Sequence, residues 1–181
     1  MVLLGDSLTQ FGLWEEWFAG VPVLNRGVSG ETSEDLLVRL DGAINDPIAV
    51  FLLIGTNDLA WGYSPQHIAG NVRAILAEVD QRAPGTPVVV QSVMPRTRAF
   101  RDAILAVNHE YRALVDAAGP HVEYLDLWPA LADHDGDLRG AFTPDGVHLS
   151  GAGYGAWLTV LQPHVERMLR NAGAYPFGSA G

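Results

Sequence analysis

With 181 residues, a formal net charge of −10 and no cysteine, the chain reads as one acidic domain without disulfides or thiolate metal sites. Apolar residues make up 48% and charged residues 18%, which excludes a disordered chain, and a chain of this size removes roughly 70% of its extended surface from water. Eleven basic residues without a dense run leave no electrostatic footprint for nucleic acid, and no apolar stretch approaches the roughly 20 residues of a membrane span, so stable membrane insertion is not expected. The opening Met1-Val2-Leu3-Leu4-Gly5-Asp6 lacks the basic start and long apolar core of a secretory leader, and a cytoplasmic location is the expectation.

In chain order, short apolar runs alternate with longer amphipathic ones. A strand is expected at 2–4, then a short helix over 13–18 and a second strand at 21–24. Leu36, Leu37, Leu40 and Ile44 share one helical face, with Thr32 and Asp35 spaced as a capping box. The run Ile-Ala-Val-Phe-Leu-Leu-Ile over 48–54 is the clearest strand and should be central. Ile68, Val72, Ile75, Leu76 and Val79 then form a helical stripe, opened by Ser64 as cap and Pro65 at the first helical position. A strand at 88–90 leads to a helix carrying Ile104, Tyr111, Leu114 and Val115, and a fifth strand follows at 122–125. The last helix carries Tyr154, Trp157, Leu158, Leu161, Val165 and Met168, with Ser150 as its cap and Pro163 expected to bend it. Strands apolar on both faces and alternating with helices imply a parallel sheet in a three-layer α/β/α sandwich. One domain is expected over 1–173, followed by a tail from 174 to 181. In such folds ligands bind at the carboxyl ends of the strands, so functional residues should stand just after strands.

Four segments meet that expectation or complement it. Gly5-Asp6-Ser7 follows the first strand and would place a serine hydroxyl at the sheet edge. Asn25-Arg26-Gly27-Val28-Ser29-Gly30 follows the second, with glycines that let backbone N–H groups converge. Gly55-Thr56-Asn57-Asp58 follows the central strand, and the Asn57 amide could stabilise an oxyanion. Of six histidines, only His148 has an aspartate three residues before it, Asp145. A serine hydroxyl is a poor nucleophile until a histidine accepts its proton, and that imidazole needs a carboxylate to fix its tautomer. Taken singly, each segment also reads as an ordinary turn or cap.

In this order the four blocks resemble the SGNH (GDSL) hydrolase superfamily, over essentially the whole chain. The resemblance implies five parallel strands in the flavodoxin-like order 2-1-3-4-5. It implies Ser7 as nucleophile, with Asp145 and His148 completing a catalytic triad. It also implies an oxyanion hole from the Ser7 amide, Gly30 and Asn57. Gly55-Thr56-Asn57-Asp58, Val93-Met94-Pro95-Arg96 and the run His148 to Tyr154 are closest to its acetylhydrolase and lysophospholipase-like branch. The expected activity is hydrolysis of short-chain carboxylic esters, with a small-molecule ester as partner and no metal or organic cofactor. An acyltransferase using the same acyl-enzyme and a non-catalytic flavodoxin-like binding module are the alternatives. Leu8, Phe11, Trp14, Asp58, Trp61, Met94, Phe142 and Val147 are candidates for a substrate pocket. Asp133, Asp135 and Asp137 alternate as in a calcium loop, but the glycine is misplaced and Pro144 stands where a glutamate is needed, so no Ca²⁺ site is expected.

Overall fold

The computed structural model describes residues 1–44 and 46–174; the expected tail from 175 onward lies outside them. Five strands, β1 (Val2–Gly5), β2 (Leu24–Gly27), β3 (Val50–Leu53), β4 (Val88–Gln91) and β5 (Val122–Leu125), form one parallel sheet in the order β2-β1-β3-β4-β5. The helices in chain order are α1 (Ser7–Gln10), α2 (Trp14–Trp17), α3 (Ser33–Val38), α4 (Thr56–Ala60), α5 (Pro65–Arg82), α6 (Arg101–Ala117), α7 (Trp128–Leu131) and α8 (Gly151–Asn171). The expected α/β class and strand order are both present.

The strand sequences explain the layering. β1, β3 and β4 are buried along their whole length, and successive side chains enter different cores. Val2, Leu4, Val50, Leu52, Val88 and Val90 pack with Leu36 of α3, the Ile68–Val79 stripe of α5 and Ile104, Val107 and Tyr111 of α6. Leu3, Phe51, Leu53 and Val89 pack on the other face with Trp14 of α2, Leu131 of α7 and Trp157, Leu161 and Val165 of α8. Tyr111 buries its hydroxyl on that first face and donates to the Ile54 carbonyl at 3.1 Å. Trp14 anchors the second, edge-on to Trp157 with ring centroids 4.9 Å apart.

Helix starts follow their capping residues. Thr32 and Asp35 form a reciprocal capping box on α3, Ser64 accepts from the His67 N–H, and Ser150 accepts from the Gly153 N–H. α8 continues through Pro163. The second strand is a correction: it runs over Leu24–Gly27 rather than 21–24, pairing Leu24 with Val2 and Gly27 with Gly5. As an edge strand it has no fully buried residue, so its polar residues Asn25 and Arg26 are tolerated. The apolar run before it instead packs into the core as a loop, through Val23 and Val21.

Asp6 caps the short helix α1 by accepting the Leu8 N–H at 2.9 Å. Its other carboxylate oxygen is buried without a partner. Burial, with the charge of Asp58 adding to it, pushes the Asp6 carboxyl up to about 7. The folded state therefore keeps a proton that the unfolded chain releases, so this group's contribution to stability falls as pH rises from about 4 to about 7 and is level above that. Asp6→Asn keeps the cap acceptor and removes the ionisation. In urea unfolding the variant should gain on the order of 4 kcal/mol over the native protein between about pH 4 and pH 8. A difference that does not change with pH would show that Asp6 titrates normally in the fold.

Candidate active site

Parallel strands end at one edge, and the register aligns the ends of β1, β2 and β3: Gly5 lies beside Gly27 on one side and Leu53 on the other. The segments that follow these strands therefore converge. At the β1–β2 end the approach is close: a Cβ on Gly27 would lie 2.2 Å from the Gln10 backbone nitrogen, so only glycine lets the second strand end against α1.

Ser7 is the first residue of α1, and its N–H stands in the helical turn that has no intrahelical acceptor. Its Oγ lies 3.1 Å from Nε2 of His148, which is 141 residues away in the chain. His148 Nδ1 lies 2.7 Å from Asp145 Oδ2, so this ring nitrogen carries the proton and Nε2 is left to accept from the serine hydroxyl. The other oxygen of Asp145 accepts from the N–H groups of Val147 and His148 at 2.9 and 2.8 Å. The bond from the His148 ring, then those two backbone N–H groups, hold the Asp145 carboxyl well below the usual carboxylate range. Both oxygens are thus fixed by the loop that carries the histidine. Such a chain can draw a proton from a hydroxyl and orient the resulting imidazolium.

Two further donors face the same edge. Gly30 has φ +83°, a conformation that disfavours any side chain, and its N–H has no acceptor among the described residues. Asn57, in the first turn of α4, donates one amide hydrogen to the Glu31 carbonyl at 2.8 Å, which leaves the other for a ligand. The structure thus brings Ser7, Asp145 and His148 into one hydrogen-bonded chain, and links Asn57 to the loop of Gly30.

The supports of this arrangement were not visible in the pattern. Arg39 holds the Glu31 carboxylate with Nε and Nη2 and also donates to the Arg26 carbonyl at 2.8 Å, tying the Gly30 loop to the end of β2. Asp58 is fully buried and accepts from the Ser33 N–H and hydroxyl, which joins α4 to the start of α3. Burial raises its pKa despite those bonds. Tyr154 donates from its hydroxyl to the Leu8 carbonyl at 2.8 Å, which anchors α8 to α1 just beyond His148. Sequence periodicity marks Tyr154 only as a core residue. Its bond to α1 depends on a contact 146 residues away along the chain.

The expected pocket residues separate into two groups. Leu8, Trp14, Asp58 and Met94 are buried at 2% exposure or less, so the structure places them inside the fold rather than on a ligand surface. Leu8, Asp58 and Met94 stand within five residues of a strand end, where the chain turns back into the core, and Trp14 packs from α2 against Trp157. Phe142 is half-buried, packing against the core beneath the Arg139 guanidinium. Val147 is half-buried next to His148. Phe11 is exposed with its ring centroid 5.8 Å from that of His148, and Trp61, at the end of α4, is the most exposed aromatic of the group. Away from this edge, Asp133, His134 and Asp135 lie close enough for their ligand atoms to fall within 4.8 Å of one another. Asp133 is already engaged there, accepting from the N–H groups of Asp135 and Asp137 in a surface turn.

Similarity to known proteins bears on this geometry. The GDSL-like Lipase/Acylhydrolase family matches residues 3–156. The bovine (Bos taurus) platelet-activating factor acetylhydrolase IB subunit alpha1 is 30% identical over 179 residues, covering 93% of this chain and 76% of the relative. A solved Streptococcus pneumoniae protein, provisionally named a platelet activating factor, superposes with a TM-score of 0.83 at 29% identity, covering 91% of this chain and 82% of its own. A carbohydrate esterase family 3 structure from Talaromyces cellulolyticus shares the fold with a TM-score of 0.79 at 21% identity, covering 94% and 98%. Among the described residues no helix is long and apolar enough to cross a membrane. The chain belongs to the GDSL-like lipase/acylhydrolase family of carboxylic ester hydrolases.

Proposed function

We propose that the protein hydrolyses esters of acetyl and other small acyl groups through an acyl-enzyme on Ser7. The observation that carries this reading is the unbroken chain from Ser7 Oγ through His148 to Asp145. In the first half-reaction His148 Nε2 takes the hydroxyl proton while Oγ bonds to the ester carbonyl carbon. The negative charge that develops on the carbonyl oxygen is received by the N–H groups of Ser7 and Gly30 and the free amide hydrogen of Asn57. The C–O bond of the ester then breaks, and the alcohol leaves with the proton returned from His148. Water repeats the sequence on the acyl-enzyme and releases the acid. Asp145 stays ionised throughout, so it fixes the imidazole orientation without taking its proton.

The preference for small acyl groups has two supports. The segments that follow β1 and β3 enter helices within three residues, and the rings near them, Phe11 and Trp61, are exposed. The names of the relatives point the same way, since one is an acetylhydrolase and another neighbour is an acetyl esterase solved with an acetate ion.

The test is hydrolysis of p-nitrophenyl esters from acetate to octanoate by native protein, Ser7→Ala and Asn57→Ala. Activity should fall with chain length and vanish in Ser7→Ala. Asn57→Ala should lose about 10²–10³ in kcat while remaining folded. Residual turnover in Ser7→Ala close to native would remove Ser7 from the mechanism, and full activity in Asn57→Ala would remove that donor.

A further inference from the structure

Arg96 stands after β4, between the two halves of the edge just described. Its Nη1 donates to the carbonyl of Thr56 at 3.1 Å and lies 3.4 Å from the Thr56 hydroxyl. Thr56 directly precedes Asn57. The guanidinium lies over the Phe100 ring, 4.0 Å from its centroid. Its Nε is buried without a partner, and no carboxylate comes within 4.0 Å of it among the described residues. On the other side, the next residue, Thr97, packs against the loop of Asp145: a Cβ on Gly146 would lie 3.2 Å from the Thr97 methyl. The Arg96 carbonyl is itself held by the Leu138 N–H at 3.0 Å.

A half-buried cation with only neutral acceptors is costly unless its position does something for its neighbours. The fields of Asp145 and Asp6 reach it without direct contact, while burial lowers its affinity for the proton. From the contacts, we infer that Arg96 is a positioning residue: it pins the Thr56–Asn57 corner of α4 to the segment that packs on the Asp145–His148 loop, so that the oxyanion donor and the general base keep one separation. This rests on the proposed roles of Asn57 and His148. Ser33 and Asp58 hold the far side of α4. Arg96 holds the near side, and among the described residues no other side chain bonds the Thr56 carbonyl or hydroxyl.

The role predicts a particular split. An interaction that sets the geometry of the transition state, and makes no contact with the ground-state ester, changes kcat and leaves KM. Arg96→Met, which keeps the apolar stem over Phe100, should lower kcat for p-nitrophenyl acetate by about 10–100-fold with KM within about twofold. Arg96→Lys, which restores the charge and one donor, should recover part of that loss. Hydrogen exchange read by mass spectrometry supplies a readout independent of turnover. In Arg96→Met, amides over 55–60 should exchange about tenfold faster while those over 88–91 are unchanged. Unchanged exchange over 55–60 would overturn the inference, as would exchange raised equally in every segment, which is the mark of a general loss of stability. Because exchange requires no ester, its outcome stands whether or not the Ser7→Ala control supports the hydrolytic reading.

Discussion

The hydrogen bond between Ser7 Oγ and His148 Nε2 joins the first loop of the chain to the last, and most of the fold can be understood as what keeps that distance at 3.1 Å. A misplacement of about 1 Å between reacting groups can cost about a hundredfold in rate. Neither residue holds itself in place. Ser7 is fixed because β1 is an interior strand of the sheet, buried and paired with both β2 and β3. His148 is fixed because Ser150 caps α8 two residues later, and α8 lies along the sheet through Trp157, Leu161 and Val165. The Tyr154 hydroxyl on the Leu8 carbonyl closes the remaining gap between the two supports. The long contact is therefore a product of the sheet order, which sets the first strand beside the third and leaves the edge open above it.

Two aspartates near Ser7 show how environment divides one side chain into two behaviours. Asp145 is exposed and accepts from the His148 ring and two backbone N–H groups, which hold its carboxyl well below the usual carboxylate range. Asp6 is buried with one oxygen unpaired, so it holds its proton to near neutrality. The buried Asp58 is spent differently, on the Ser33 bonds that hold α3 against α4.

Much of this was legible in the chain because the informative residues are short-range signals. The central strand, the caps at Thr32, Ser64 and Ser150 and the stripes of α5 and α8 depend on spacing within one element. The grouping of Ser7, Asp145 and His148 was legible because each stands in a local motif at the end of a strand or the start of a helix. The second strand was displaced by three residues because hydrophobicity marks burial, and at a sheet edge the buried residues are not those that pair. The pocket reading included Trp14, Asp58 and Met94 because nearness in sequence to a site says nothing about which way a side chain turns. The Arg39–Glu31 pair, the Tyr154 bond and the contacts of Arg96 left no sequence signal, since each joins elements whose distance is decided only by packing.

Ser7 as nucleophile is tested by stopping the reaction of native protein with p-nitrophenyl acetate by rapid acid quench and mapping the acetyl group by mass spectrometry. A transient acetyl ester should appear on the peptide containing Ser7, formed before steady state and lost as acetate accumulates. Rapid turnover with no acyl adduct anywhere, or an adduct only on another side chain, would contradict that assignment.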